Sequence, residues 1–133
     1  MHFLRLTENW KMKYLPRILL VDDEVEHLQL LTELLRKNGF DVYSLSTPVD
    51  IFATIKVFNP SIIILDVKMG NYDGKEICAQ LKANEETKSI KVILHSAFPE
   101  IEKEYQICGA EEFIIKPTDI SLLVSRLNFH LEE

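Results

Sequence analysis

Five polar residues close apolar runs in this chain. Asp22 and Asp23 follow the run Ile18 to Val21, Asp66 follows Ile62 to Leu65, Ser96 follows Val92 to Leu94 by way of His95, and Lys116 follows Phe113 to Ile115. If these runs lie side by side, three carboxylates, a hydroxyl and an ammonium meet. Two carboxylates ~4 Å apart repel by about 4 kcal/mol at an effective dielectric near 20, unless one takes a proton or a cation joins them. A small hard dication relieves the repulsion. Magnesium prefers oxygen ligands, keeps several waters and uses one or two carboxylates beside phosphate oxygens. Zinc is a poor candidate without a histidine and cysteine cluster. Lys116 and Ser96 then await an anion that the metal also contacts, and a phosphoryl group fits that description.

The elements that must position these residues are legible in the periodicity. The four runs are almost unbroken, as strands covered by helices on both faces must be. A weaker run, Val42 to Leu45, carries Tyr43 and Ser44 and reads as an edge strand. Val25, Leu28, Leu31 and Leu35 recur at helical spacing, with Asn38 and Gly39 as a stop. Thr47-Pro48 predicts the start of a second helix. Ile77 and Leu81 mark a third after the Asp73-Gly74 turn, and Ile120, Leu123, Val124, Leu127 and Leu131 give the apolar face of the last. Strand and helix alternate, which implies an open, mostly parallel α/β sheet with right-handed crossovers. In such a sheet the carboxyl ends of the strands share one rim, and ligands bind there.

A chain of 133 residues suits one domain. Its 15 lysines and arginines against 21 aspartates and glutamates leave a net charge of −6, which argues against direct nucleic-acid binding. Cys78 and Cys108 fit neither a disulfide framework nor a zinc spacing and suit a reducing cytoplasm. Arg5, Glu8, Lys11 and Lys13 break up the N-terminal stretch, so no signal peptide or membrane span is expected. Residues 1–15 read as an N-terminal extension and 16–133 as the domain.

Taken in order, these residues resemble the receiver domain of two-component response regulators. The landmarks are Asp22-Asp23-Glu24 after the first run, Asp66 with Met69 and Asp73-Gly74 behind it, Ser96-Ala97, Gly109-Ala110, and Phe113 to Lys116-Pro117. The resemblance covers about Arg17 to Leu131, each motif being weak alone and the set specific. It implies a flavodoxin-like (βα)5 three-layer sandwich with a five-stranded parallel sheet in the order 2-1-3-4-5. It also implies that Asp66 accepts a phosphoryl group from a sensor histidine kinase or a phosphotransfer protein. Asp23 and Asp66 would ligate magnesium, or manganese, with the main-chain carbonyl of Lys68, and Asp22 would act through bound water. Lys116 would neutralise a phosphoryl oxygen, while Ser96 and Phe113 would form the switch. Lys116-Pro117 matches a bond that is cis in the family. Such a domain catalyses only its own phosphorylation and dephosphorylation. With no effector domain after Leu131, output to a downstream protein is expected through binding, and the resemblance leaves room for a homodimer.

The chain departs from the pattern in places. Gly70 stands where the family usually has proline four positions after the acceptor, which is expected to loosen that loop. Lys68 and Phe98 occupy positions where receivers tune the access of hydrolytic water. The interval from Ser96 to Lys116 is about two residues short, with Pro99 early in it, so a short or irregular fourth helix is expected. Plainer readings exist: Asp22 or Asp23 as a helix cap, Asp66 as a loop acid, Ser96 as a turn serine, Lys116 as a solvated charge, His27 as a surface helix residue, and His95 as packing beside the site. The cysteines are most simply buried small hydrophobes.

Three rival functions compete. A phosphatase of the haloacid dehalogenase type needs a second aspartate two positions after the first, where Lys68 stands. A flavin or nucleotide binder needs glycines and hydroxyls after the first strand, where Asp22, Asp23 and Glu24 would repel phosphate. The third is a pseudo-receiver that binds partners without phosphorylation.

Overall fold

The computed structural model describes residues 14–132. The expected extension over residues 1–15 therefore lies, but for Tyr14 and Leu15, outside the described residues. Five strands, β1 (Arg17–Val21), β2 (Asp41–Leu45), β3 (Ile62–Asp66), β4 (Lys91–Ser96) and β5 (Glu112–Ile115), form one parallel sheet. Their order is β2-β1-β3-β4-β5, as expected of the flavodoxin-like sandwich. The helices are α1 (Val25–Lys37), α2 (Ile51–Phe58), α3 (Gly74–Ala83) and α4 (Ile120–Leu131).

The unbroken runs have a direct physical cause. Alternate residues of a strand face opposite ways, so Leu19, Val21, Ile63, Leu65, Val92 and Leu94 pack beneath α2 and α3. Ile18, Leu20, Ile62, Ile64 and Ile93 pack beneath α1 and α4. Every residue of β3 is buried, Asp66 included. Each buried aliphatic side chain contributes roughly 1.5–3 kcal/mol, so neither face tolerates a polar residue until the strand ends.

α1 stops where expected, with Asn38 as its C-cap. α2 does not start at Thr47-Pro48. Val49 donates its amide to Thr47 Oγ1 at 3.4 Å and Ile51 donates to the Pro48 carbonyl at 3.1 Å, so these residues form a turn and the helix begins at Ile51. The side-chain turn competes with the helical path that the same residues allow. The fourth crossover is reduced to a 3-10 segment, Pro99–Lys103, followed by turns, in line with the short or irregular helix expected.

β2 is an edge strand with Tyr43 exposed, as its composition implied. Its register sends the amide of Asp41 to Pro16 and the carbonyl of Leu45 to Asp22, so the Val42 carbonyl faces the open border. Arg36 of α1 donates its Nη2 to that carbonyl at 2.9 Å.

Candidate functional site

The carboxyl rim of the sheet brings the strand-end residues together. Carboxylate oxygens of Asp22, Asp23 and Asp66 all lie within 4.8 Å of one another. Lys116, just past β5, donates its Nζ to Asp22 Oδ2 at 2.9 Å and to Asp66 Oδ2 at 3.2 Å. Asp22 and Asp66 are buried, while Asp23 is exposed. Two amides orient the acids: Glu24 donates to Asp22 Oδ1 at 2.9 Å and Val67 to Asp66 Oδ1 at 2.8 Å.

The electrostatics of the three bridged groups diverge. Burial pushes the Asp66 carboxyl up, the Lys116 ammonium pulls it down, the neighbouring Asp22 pushes it up again, and its pKa ends above the usual value. Asp22 is pushed up by burial too, but the hydrogen bonds from Lys116, the Glu24 amide and His27 outweigh this and hold it below. Burial lowers Lys116, and its two carboxylate partners more than restore it, so it ends raised. Three carboxylates against one ammonium leave negative charge that an oxygen-seeking dication would balance. The donor set therefore fits magnesium or manganese, with Asp23 offering the solvent-facing oxygen.

Ser96, fully buried, accepts the Phe98 amide at its Oγ at 3.1 Å. Phe113 pairs with Leu94 across β4 and β5 and is half-buried against the core, less enclosed than a core residue. Lys68 lies in a two-residue hairpin, Lys68–Met69 paired with Tyr72–Asp73, which turns through Gly70 at φ +58, a conformation glycine adopts readily. Its Nζ stands 3.8 Å from the centroid of the Phe98 ring, a cation–π contact that joins the loops after β3 and β4. The Lys116-Pro117 bond is cis.

Two residues escaped the sequence reading. His27 is not a bystander on the surface of α1: its Nδ1 lies 2.7 Å from Asp22 Oδ2. The second is Gly74, which reads as a turn residue but opens α3, where an added Cβ would collide with the Asp66 carbonyl oxygen and come within 2.9 Å of Val67 Cα. The only signal for it is a glycine at the mouth of a helix. His95 packs beside the site as expected, its Nε2 2.9 Å from Thr118 Oγ1. Burial first, then Lys116 and His27, push its pKa down to about 4. Cys78 and Cys108 are both buried.

A family model described as the response regulator receiver domain matches residues 18–128. The chain belongs to this family. Receiver domains are signalling domains of two-component systems rather than conventional enzymes. The receiver is 29% identical over 115 residues, 85% of its own length, to the DNA-binding dual master transcriptional regulator RpaA of Synechocystis. It is 31% identical over 123 residues, 86% of its length, to the regulatory protein AtoC of Escherichia coli. It spans 48% of the first relative and 26% of the second, so it matches only part of each. Among solved structures, the signal receiver domain of a signal transduction histidine kinase from Syntrophus aciditrophicus superposes with a TM-score of 0.80 at 28% identity, covering 88% of this chain and 90% of that one. No helix among the described residues is long and apolar enough to cross a membrane.

Proposed function

We propose that residues 16–133 form a cytoplasmic phosphoaspartate switch, in which Asp66 takes a phosphoryl group from the phosphohistidine of a sensor histidine kinase or phosphotransfer protein. The observation that carries this reading is the bridge of Lys116 to Asp22 and Asp66 inside a group of three acids that one lysine does not balance. Asp23 and Asp66 would hold magnesium or manganese directly, Asp22 through water, and Lys68 through its main-chain carbonyl. Bound there, the ion would neutralise the acids and the charge gathered on the phosphoryl oxygens.

An Asp66 oxygen forms the new O–P bond as the N–P bond of phosphohistidine breaks, and the electron pair returns to the imidazole nitrogen. Carboxylate is a modest nucleophile, so the site works by positioning and charge stabilisation. Lys116 follows the new negative charge onto a phosphoryl oxygen. Ser96 accepts the Phe98 amide and keeps its own hydroxyl proton to donate to the phosphoryl group. That bond draws the Ala97-Phe98 segment inward, and Phe113 follows on the adjoining strand, so chemistry at the rim becomes a change of surface beside β4 and β5. A downstream protein or a second copy of the chain would read that surface.

The test is incubation with acetyl phosphate and magnesium followed by intact mass. The expected result is a gain of one phosphoryl group that disappears in Asp66→Asn and with chelator. A chain that stays unmodified while folded and metal-loaded is instead a pseudo-receiver.

A further inference from the structure

A second region of the molecule has no part in the rim chemistry. The groove between the open border of β2 and helix α2 has a volume of about 520 Å³ and is lined by Arg17, Tyr43, Ala53, Thr54, Val57 and Phe58. Its apolar side chains are poorly covered. Val57 is 89% exposed and Tyr43 47%, and the Tyr43 and Phe58 rings meet at a tilt of 49° with centroids 5.6 Å apart. Isolated exposed apolar residues are ordinary, but several gathered in one concavity mark a surface that something covers.

The chain itself supplies an occupant of the right chemistry in the right place. The described chain enters the sheet at this border, where the Pro16 carbonyl accepts the Asp41 amide, and Arg17, the first strand residue, lines the groove. The preceding sequence holds Phe3, Leu6 and Trp10 at intervals of three and four residues. That spacing puts them on one face of a helix, with Arg5, Glu8 and Asn9 away from it and Lys13 at its border beside Leu6. Charge draws the segment toward the domain as a whole, while the groove itself is lined by one charged residue, the cation Arg17. Arg5, Lys11 and Lys13 against Glu8 give residues 1–13 a net charge of +2, so the remaining 120 residues carry −8 of the chain's total of −6. Six residues separate Trp10 from Arg17, which at roughly 3.3 Å per residue is a reach of about 20 Å, enough to cross the groove.

We propose that residues 1–13 are the occupant of this groove, seating Trp10 and its apolar neighbours against Tyr43, Val57 and Phe58. The segment then acts as a built-in cover for the β2 and α2 face, on a part of the domain where no residue of the acid cluster lies. This does not rest on the phosphoryl chemistry proposed above.

Trp10 is the only tryptophan, so its fluorescence reports on this segment alone. In the full chain its emission is expected to be blue-shifted and shielded from acrylamide. In Val57→Asp, and separately in Tyr43→Ser, it should move to the emission and quenching of the denatured chain, while circular dichroism stays native. Trp10 as open to acrylamide in the native chain as in both folded variants overturns the proposal. So does shielding that both variants leave intact, because the segment then sits elsewhere. Shielding that appears only as the chain dimerises, followed by light scattering, overturns it in favour of a second copy's segment.

Discussion

Two charged clusters in this domain, built from similar residue types, have opposite arithmetic. At the start of β5, Glu112 accepts Arg126 Nε at 2.8 Å and 2.9 Å on its two oxygens and lies 2.7 Å from His130 Nε2. There a single acid is enclosed by basic partners. Burial raises its pKa, the hydrogen bonds from Arg126 and His130 outweigh that, and the carboxyl is held below the usual range. At the carboxyl rim three acids share one lysine, and one of the two buried ones, Asp66, is left above its usual value. A cluster that balances itself fastens β5 to α4, whereas one that leaves charge over is arranged for something arriving from solution.

The largest way to break the contrast is Lys116→Met, which leaves Asp22 and Asp66 buried without their cation. Stability should fall by about 3 kcal/mol in urea unfolding without metal. Combining it with Asp66→Asn should recover much of the loss. Next comes Gly74→Ala, whose methyl must displace the Asp66 and Val67 backbone. A loss of about 2 kcal/mol is expected, with slower modification by acetyl phosphate in the fraction that remains folded.

Glu112→Gln tests the balanced cluster. Because the folded-state pKa of Glu112 lies below its unfolded value, its ionisation stabilises the fold above the ordinary glutamate range, and the contribution fades as pH falls through the lowered value. The variant should lose about 1 kcal/mol at neutral pH and show a flatter decline of the thermal midpoint toward acid. Asp66→Asn should do the reverse. Its raised pKa means that ionised Asp66 costs stability at neutral pH, so without metal the variant should melt roughly 2–4 °C higher, and magnesium should stabilise only the parent chain. The smallest effect expected is that of Lys68→Ala, which removes the cation from the Phe98 ring. The half-life of the phosphorylated form should change by about threefold, under 1 kcal/mol in the barrier. An unchanged half-life separates this contact from access of water to the site.

The contrast also explains what the sequence made legible. Asp22, Asp23, Asp66, Ser96 and Lys116 stand out because each interrupts an apolar run at a strand end, and parallel topology carries every such end to one rim. The sheet order came with the resemblance to receivers rather than from strand character, whereas the degraded fourth crossover was readable in a short interval and an early proline. His27 was not, because helical periodicity marks it as outward-facing and says nothing of a ring that reaches back to Asp22 five residues earlier. The start of α2 was misplaced because Thr47-Pro48 suits a turn as well as a cap. The Glu112 cluster joins a strand to a helix through Arg126 and His130, and no local pattern announces a contact of that range.

The guanidinium of Arg36 on the Val42 carbonyl has a consequence for how copies of this domain meet. An incoming strand that tried to lengthen the sheet at this border would find the acceptor already engaged by a charged donor, and would have to evict it before its first rung formed. The molecule thus discourages ribbon growth at the β2 border of its sheet.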